Sequence, residues 1–300
     1  MWRPSSVPFP APHRGAMVKS LIPAERHHRI QALLEQRRVA SIADLSALLS
    51  VSEATVRRDL ETLEGRGLLE RTHGGAILTR RLPTEPFYVQ SAAVRPEEKR
   101  RIGAAAAALV ADGDAVFLNS GTTTTEVARH LATRGDLTRA TIITTNLSAA
   151  LETRHAGLEV ILLGGNFRPQ SNAVVGEAAL RMLNQMYADK CFLGVDGFSL
   201  RAGLTTPVLA EAEIARLMLE RTVGTTIVVA DSSKWGVVSN YEIAPLDKVH
   251  VLVCDDGLPA EAVDALAERG TRSIRADGGL GTAVGGATGR GTHDDSDGRR

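Results

Sequence analysis

Residues 120–125 bring together side chains that are well suited to binding an anion. The segment consists of Ser120, Gly121, Thr122, Thr123, Thr124 and Thr125, between an apolar run and a helical pattern. Backbone N–H groups at the start of a helix favour negative charge, and the hydroxyls add hydrogen-bond donors. The pattern therefore predicts a phosphate-binding turn, with a hydroxyl-rich helix cap as the alternative. Its spacing fits neither a Walker loop nor a dinucleotide-binding fingerprint.

Further polar residues follow the other predicted strands of the same region. They are Asn146, Gly165, Asp196 and Lys234, to which we add Glu211 from a predicted helical segment. Ligands bind at the carboxyl ends of the strands in open parallel sheets, so we expect these residues to form one pocket. Lys234 would contact a phosphate, and the carboxylates and amide would bind sugar hydroxyls. Each residue alone is equally compatible with a turn or a solvated surface.

Carboxylates in such a pocket leave an enzyme open as an alternative. Asp196 or Glu213 would then be the general base of a sugar-phosphate isomerase with an appended DNA-binding domain. We expect instead no enzymatic activity, no catalytic residue, no metal and no cofactor. Cys191 and Cys254 lie far apart in apolar runs, which predicts buried thiols in a reducing cytoplasm.

A different chemistry is predicted for the N-terminal part of the chain, where arginines flank an apolar stripe. Val56, Leu60 and Leu63 have the spacing of one buried helix face, which leaves Arg57 and Arg58 outward. Arginine binds guanine bidentately, and Ser or Thr contacts phosphates. The candidate DNA-contacting residues are Ser41, Ser52, Thr55, Arg57, Arg58, Arg71, His73 and Gly74. The alternative is a solvated face with an Arg57–Glu61 pair.

The elements that position these arginines form a winged helix-turn-helix pattern. Two helices with apolar positions at Ile30, Leu33 and Leu34, and at Ile42, Leu45, Leu48 and Leu49, precede a third helix capped by Ser52. Two short β runs, 68–72 and 73–78, surround a Gly-Gly turn and predict a hairpin beside that helix.

The rest of the chain predicts an α/β fold with a mostly parallel sheet, because apolar β-rich runs alternate with helical patterns. Predicted strands are 115–119, 141–145, 160–163, 190–195, 226–230 and 249–254, and predicted helices are 97–110, 123–131, 147–153, 177–186, 209–221 and 260–268. The expected organisation is a disordered extension (1–20), a DNA-binding domain (21–81), a proline-containing linker (82–96), an effector-binding domain (97–275) and a disordered tail (276–300).

Charge is divided unevenly between these parts although the chain is neutral. Residues 1–81 hold thirteen Lys and Arg against eight Asp and Glu, a balance of +5, and the remainder carries −5. A basic N-terminal part is consistent with contact to DNA phosphates. The longest apolar stretch, 104–111, is far shorter than the roughly 20 residues that span a bilayer, so we expect no membrane partner.

The chain also resembles a known family. The run Ser52-Glu-Ala-Thr-Val-Arg-Arg-Asp-Leu, with Arg71-Thr-His-Gly-Gly-Ala76, is similar to the winged helix-turn-helix signature of DeoR-type bacterial transcriptional regulators. Ser120-Gly-Thr-Thr, Phe192-Leu-Gly-Val-Asp-Gly197 and Asp231-Ser-Ser-Lys-Trp-Gly236 resemble the family's sensor domain. Asn119 and Trp235 depart from it, since Asp and Phe are common there.

This resemblance implies both a fold and a function. The sensor fold would be similar to ribose-5-phosphate isomerase, and a phosphorylated sugar or sugar alcohol would be the effector, its phosphate held by Ser120 to Thr124 and Lys234. We expect a repressor of a sugar catabolic operon that binds double-stranded operator DNA as a homo-oligomer, since helix-turn-helix proteins usually bind paired half-sites. Candidates for selecting the sugar are Asn146, Arg168, Asn172 and Asp196.

Overall fold

The computed structural model describes residues 21–72 and 74–277, which form an N-terminal helical domain and a C-terminal α/β domain. The N-terminal elements are α1 (Pro23–Arg37), β1 (Val39–Ser41), α2 (Ile42–Leu49), α3 (Glu53–Gly65), β2 (Leu69–Arg71), β3 (Gly75–Leu78) and β4 (Arg80–Arg81). Residues 1–20, most of the predicted tail and His73 lie outside the described residues.

The predicted apolar stripes of the three N-terminal helices pack into one core. On α3, Val56, Leu60 and Leu63 are all buried, which confirms that face. On α2 the prediction was wrong for Leu48, whose side chain is 45% exposed. The helix has only eight residues, and three other apolar side chains already fill its inner face.

A small antiparallel sheet of order β1-β3-β2 completes this domain. The predicted hairpin is β2–β3, with Arg71 opposite Ala76. The sequence analysis missed β1, which pairs with the other side of β3. At Gly75 the two strands lie so close that a Cβ atom would be 2.1 Å from the Ala40 carbonyl oxygen, so this position requires glycine.

The C-terminal domain alternates helices and strands. Its first half contains α4 (Tyr88–Ala93), α5 (Pro96–Ala107), β5 (Ala115–Leu118), α6 (Thr122–Leu131), β6 (Thr141–Thr144), α7 (Leu147–Thr153), β7 (Glu159–Leu162), β8 (Asn166–Arg168), β9 (Ala173–Val175) and α8 (Glu177–Leu183). Its second half contains β10 (Ala188–Gly194), β11 (Gly197–Ser199), β12 (Gly203–Thr206), α9 (Leu209–Glu220), β13 (Thr222–Val229), β14 (Val237–Val238), β15 (Tyr241–Ala244), β16 (Val251–Cys254), α10 (Ala260–Ala267) and β17 (Arg272–Arg275).

Seven strands form a fully parallel sheet of order β17-β16-β13-β10-β5-β6-β7. Helices pack on both faces, and separate apolar clusters fill the two sides around Phe117 and Phe192. This confirms the predicted α/β class. Cys191 and Cys254 are free and buried in this core, and burial raises the pKa of the Cys191 thiol to about 12.

Two segments differ from the predicted organisation. The expected linker at 82–96 includes α4, and the Tyr88 hydroxyl donates to Thr125 Oγ1 at 2.9 Å, so this segment packs on the α/β domain. The expected tail began at Ala276, but that residue is buried and its N–H donates to the Cys254 carbonyl oxygen at 2.8 Å. The contact continues the ladder of β17, the edge strand that the sequence analysis missed.

Candidate functional site

A cavity of about 210 Å³ opens beyond the carboxyl ends of β5, β10 and β13. β5 and β10 are neighbours, but the chain continues from them toward opposite edges of the sheet, which leaves a crevice between their ends. The predicted effector-binding residues that line it are Ser120, Gly121, Thr122, Thr123, Asp196, Glu211 and Lys234.

The turn after β5 is fixed by a reciprocal pair of hydrogen bonds. The Asn119 side chain donates from Nδ2 to the Gly194 carbonyl oxygen at 2.9 Å and accepts from the Gly194 N–H through Oδ1 at 2.8 Å. The chain then passes through Gly121, whose φ of 136° favours glycine, and enters α6 at Thr122. The N-terminal turn of α6 therefore borders the cavity.

Three predicted residues lie outside the cavity lining and support this turn or its surroundings. Thr124 is fully buried, and its hydroxyl donates to the Asn119 carbonyl oxygen at 2.9 Å. Asn146 is also fully buried and donates to the Gly121 carbonyl oxygen at 3.0 Å while capping α7. Gly165 packs against Val174 and Val175, with a Cβ position 2.6 Å from the Val175 carbonyl oxygen.

One side of the cavity carries two lysines. Lys234 ends a short 3-10 turn (Ser232–Lys234) after β13, where the Asp231 carboxylate caps the turn by accepting from the Ser233 N–H at 3.0 Å. Lys99 extends from α5, is 4% exposed, and donates to the Ser91 carbonyl oxygen. Burial lowers the pKa of Lys99, Asp231 opposes that shift, and the nearby Lys234 charge adds to it.

Another part of the lining is acidic. Glu85, Asp196 and Glu211 border the cavity, and Arg168 makes ion pairs with both glutamates, at 3.4 Å from Nε to Glu211 Oε1. Burial raises the pKa of Glu85, the Glu211 charge adds to this effect, and Arg168 opposes it. The Ser120 hydroxyl donates to Glu211 at 3.1 Å, which links the acidic residues to the turn before α6.

Sequence reasoning missed part of the cavity lining and misplaced two candidates. Glu85, Tyr88 and Lys99 were not selected, although Lys99 lies in a predicted helix whose outward residues gave no signal of burial. Asn172 lies outside the lining and donates to the Ser148 hydroxyl at 2.6 Å. Glu213, the alternative general base, is exposed on α9 and is likewise outside the cavity.

The predicted DNA-contacting residues lie around α3 and the β2–β3 hairpin. Ser52 caps α3 by accepting from the Thr55 N–H at 3.3 Å, and Ser41 caps α2 by accepting from the Asp44 N–H at 3.0 Å. Gly74 is exposed at the end of the hairpin. Buried Asp59 accepts from Arg26 Nε at 2.6 Å, which joins α3 to α1.

The two arginines of α3 have different surroundings. Arg57 is exposed and pairs with Glu53 at 3.3 Å rather than with Glu61. It borders a cleft together with Arg71, and Ala265 and Arg269 of the α/β domain form the opposite side. Arg58 is exposed and lies outside that cleft. Both arginines are therefore exposed, and of the two it is Arg57 that borders the cleft.

A winged helix-turn-helix domain joined to an α/β domain with a polar cavity defines a DNA-binding regulator with a sensor domain. Comparison with protein families gives a match for each of the two domains. Residues 26–81 match the DeoR-like helix-turn-helix domain, and residues 94–256 match the DeoR C-terminal sensor domain. The chain belongs to the DeoR family of transcriptional regulators, which confirms the resemblance seen in the sequence.

Relatives align over most of their length. The HTH-type transcriptional regulator GlpR of Haloferax volcanii is 36% identical over 85% of this chain and 98% of its own. A putative aga operon transcriptional repressor of Escherichia coli is 34% identical over 84% and 93%, and the transcriptional repressor GlcR of Bacillus subtilis is 34% identical over 82% and 93%.

One solved structure that is similar in part is ribose 5-phosphate isomerase A of Methanocaldococcus jannaschii. It is 18% identical, with a TM-score of 0.35, over 47% of this chain and 54% of the isomerase. Similarity at that level says nothing about activity. In the part of the chain that the structure describes, no helix is long and apolar enough to cross a membrane.

Proposed function

We propose that this protein represses a sugar or sugar-alcohol catabolic operon and releases its operator when a phosphorylated sugar binds in the cavity. The regulator binds double-stranded DNA through α3 and the β2–β3 hairpin and acts in the cytoplasm as a homo-oligomer. It has no enzymatic activity. The repressor role is supported by two relatives, whose names describe them as transcriptional repressors.

The observation that carries the proposed effector class is the uneven charge of the cavity. Lys99 and Lys234 border it together with the N-terminal turn of α6, which suits a phosphate group. Glu85, Asp196 and Glu211 border it as well, and carboxylates accept hydrogen bonds from hydroxyl groups. A molecule with a phosphate and several hydroxyls matches both features.

A thermal-shift screen tests this effector class. Purified protein is heated with a panel of hexose, pentose and glycerol phosphates, each compared with its unphosphorylated parent. A ligand that binds the folded state raises the apparent melting temperature. We expect at least one phosphorylated compound to raise it while its parent does not, and the same compound to release a DNA operator selected from a random library.

The screen is repeated with Lys234→Ala and with Lys248→Ala as a matched control. Lys248 ends the other short 3-10 turn (Leu246–Lys248), is exposed, and lies outside the cavity lining. Loss of a charge-assisted contact of about 1.5–3 kcal/mol should weaken the effector by roughly tenfold or more in Lys234→Ala alone. Equal binding of unphosphorylated parents would contradict the proposal, as would turnover of a sugar phosphate at enzymatic rates.

A further inference from the structure

The segment that follows β13 contacts the cavity on one side and the DNA-binding domain on the other. Lys234 lines the cavity, whereas the carbonyl oxygen of the preceding residue, Ser233, accepts from both terminal nitrogens of Arg38 at 3.3 Å. A ligand that displaces Lys234 would therefore also displace the Ser233 carbonyl oxygen, which is hydrogen-bonded to Arg38 of the N-terminal domain. Residues 231–236 are named the coupling loop below.

Arg38 is well placed to receive such a displacement. It is half-buried at the end of α1, directly before β1, and has a left-handed backbone with a φ of 63°. Its own carbonyl oxygen accepts from the Leu78 N–H at 2.9 Å. Arg38 thus contacts the coupling loop through its side chain and the end of β3 through its backbone. β3 belongs to the β2–β3 hairpin, which is the wing of the winged helix-turn-helix domain.

Gly236 provides a second contact between the coupling loop and the same strand end. Its φ is 72°, and an added Cβ would lie 2.8 Å from the Leu78 carbonyl oxygen, so the two backbones touch. Its carbonyl oxygen also accepts from the Arg80 N–H at 2.9 Å, which begins the pairing of β4 with β14. The coupling loop is therefore connected to the end of β3 in two ways, through Arg38 at Ser233 and directly at Gly236.

Trp235 makes the loop between these contacts stiff. Its ring is buried and packs on Phe198, with centroids 5.2 Å apart. Ile77 of β3 belongs to the same apolar cluster, and its Cγ2 atom lies 3.1 Å from where a Cβ of Gly236 would be. Packed groups of this kind transmit a shift rather than absorb it, because interiors have little free volume.

We propose that the coupling loop transmits effector binding to the wing, with Arg38 as the positioning residue on the DNA-binding side. This inference rests on the proposed function, since it concerns how that effector regulates DNA binding. Phosphate bound to Lys234 changes the position of the Ser233 carbonyl, and Arg38 passes this change to α1 and β3. The effector and DNA then favour different arrangements of one loop, as allosteric coupling requires.

The test measures coupling rather than binding alone. Operator affinity is determined by fluorescence anisotropy without and with a saturating panel phosphate for wild type, Arg38→Gln and Arg37→Gln. Arg37 is the exposed neighbour and loses the same charge without touching the loop. Effector binding is followed separately by the fluorescence of Trp235, in a Trp2→Phe background that leaves it the single tryptophan of the chain.

We expect all three proteins to bind the effector and to bind operator within about threefold of each other in its absence. The effector should weaken operator binding by a factor in the range of about 5–150 in wild type and Arg37→Gln, and by less than about twofold in Arg38→Gln. An unchanged factor in Arg38→Gln would overturn the inference. So would loss of effector-free operator binding in Arg38→Gln alone, which would make Arg38 part of the DNA-binding framework.

A second variant, Gly236→Ala, tests the other contact by pushing a methyl group toward the Leu78 carbonyl oxygen. In Gly236→Ala the effector should still change Trp235 fluorescence, but the factor by which it weakens operator binding should differ from that of wild type. An unchanged factor would count against the inference. Failure of the proposed function has a different signature. In that case wild type itself shows no operator release with any panel phosphate, and this inference fails with it.

Discussion

Lys99 is a buried ammonium group in the cavity wall that donates to the backbone carbonyl oxygen of Ser91. Burial lowers its pKa below the ordinary lysine value of about 10.4, because the charged form loses hydration. It therefore loses its proton, and its attraction for a phosphate, earlier in the alkaline range than an exposed lysine. Effector affinity in wild type should begin to fall there as the pH rises.

Replacing Lys99 by Met should remove that early fall. Lys99→Met is expected to bind effector at least about tenfold more weakly at neutral pH, the equivalent of roughly 1.4 kcal/mol. Its affinity should then change less between neutral and moderately alkaline pH than that of wild type or of Lys248→Met. Effector titrations followed by Trp235 fluorescence at several pH values give the comparison. If effector affinity fell by the same amount at alkaline pH in Lys99→Met, the loss of a proton from a group other than Lys99 would be responsible.

Asn119 shows why a departure from a family pattern can leave a site intact. Its amide donates to the Gly194 carbonyl oxygen and accepts from the Gly194 N–H at the same time. An ionised aspartate at this position accepts hydrogen bonds but cannot donate one. The amide therefore joins the chain directly after β5 to Gly194 at the end of β10, and both of its polar atoms are hydrogen-bonded.

At the scale of an element, the small N-terminal sheet depends on one close approach. A methyl group at Gly75 would lie 2.1 Å from the Ala40 carbonyl oxygen, whereas one at Gly74 would have no atom within 4 Å. Gly75→Ala must therefore separate β1 from β3. We expect it to destabilise the N-terminal domain by about 1–3 kcal/mol or more and to weaken operator binding.

Gly74→Ala is the matched control for this change, with the same methyl group one residue away. It should unfold within a few degrees of wild type, as followed by circular dichroism during heating, with hydrogen exchange in β1 and β3 as the local readout. Equal stability of the two variants would show that the strands tolerate a wider separation.

The longer elements of this fold could be predicted from the sequence, but the shorter ones could not. Continuous apolar runs predicted six strands of the central sheet, and the seventh, β17, was missed because its pattern of Arg272, Ser273, Ile274 and Arg275 is that of an exposed edge. β1 has only three residues and depends on partners 34 to 38 positions away along the chain. Local patterns contain no information about such pairings.

The residues that line the candidate cavity could likewise be predicted only in part. Hydroxyls and charges after strand ends identified the turn at Ser120 and the loop at Lys234, because topology brings those ends together. The 82–96 segment was taken as a linker from its prolines, yet Glu85 meets Arg168 and Tyr88 meets Thr125. These partners are distant in sequence, so composition could not show that the segment covers the cavity.

At the scale of the whole molecule, the division of charge favours one mode of approach to DNA. Residues 1–81 carry a balance of +5 and the remainder −5, so DNA should attract the N-terminal part of the chain and repel the rest. Arg57 and Arg71 border the cleft between the domains, whereas Arg58 is exposed outside it. A change in the relative position of the domains would alter the access of DNA to the first two arginines.

This arrangement predicts how salt and single charges affect operator binding. Affinity should fall linearly with salt on a double logarithmic plot, with a slope of about −0.9 for each phosphate contact.

Arg58→Gln should weaken operator binding by about 1–3 kcal/mol, through loss of either a base or a phosphate contact, and should leave the fold unchanged. Arg139→Gln removes another exposed charge, from the α/β domain, where the Arg139 side chain is 76% exposed, and should change neither affinity nor slope. Anisotropy titrations at several salt concentrations separate the two cases. An Arg58→Gln protein with wild-type affinity, or an Arg139→Gln protein with a reduced slope, would place the DNA on a different surface.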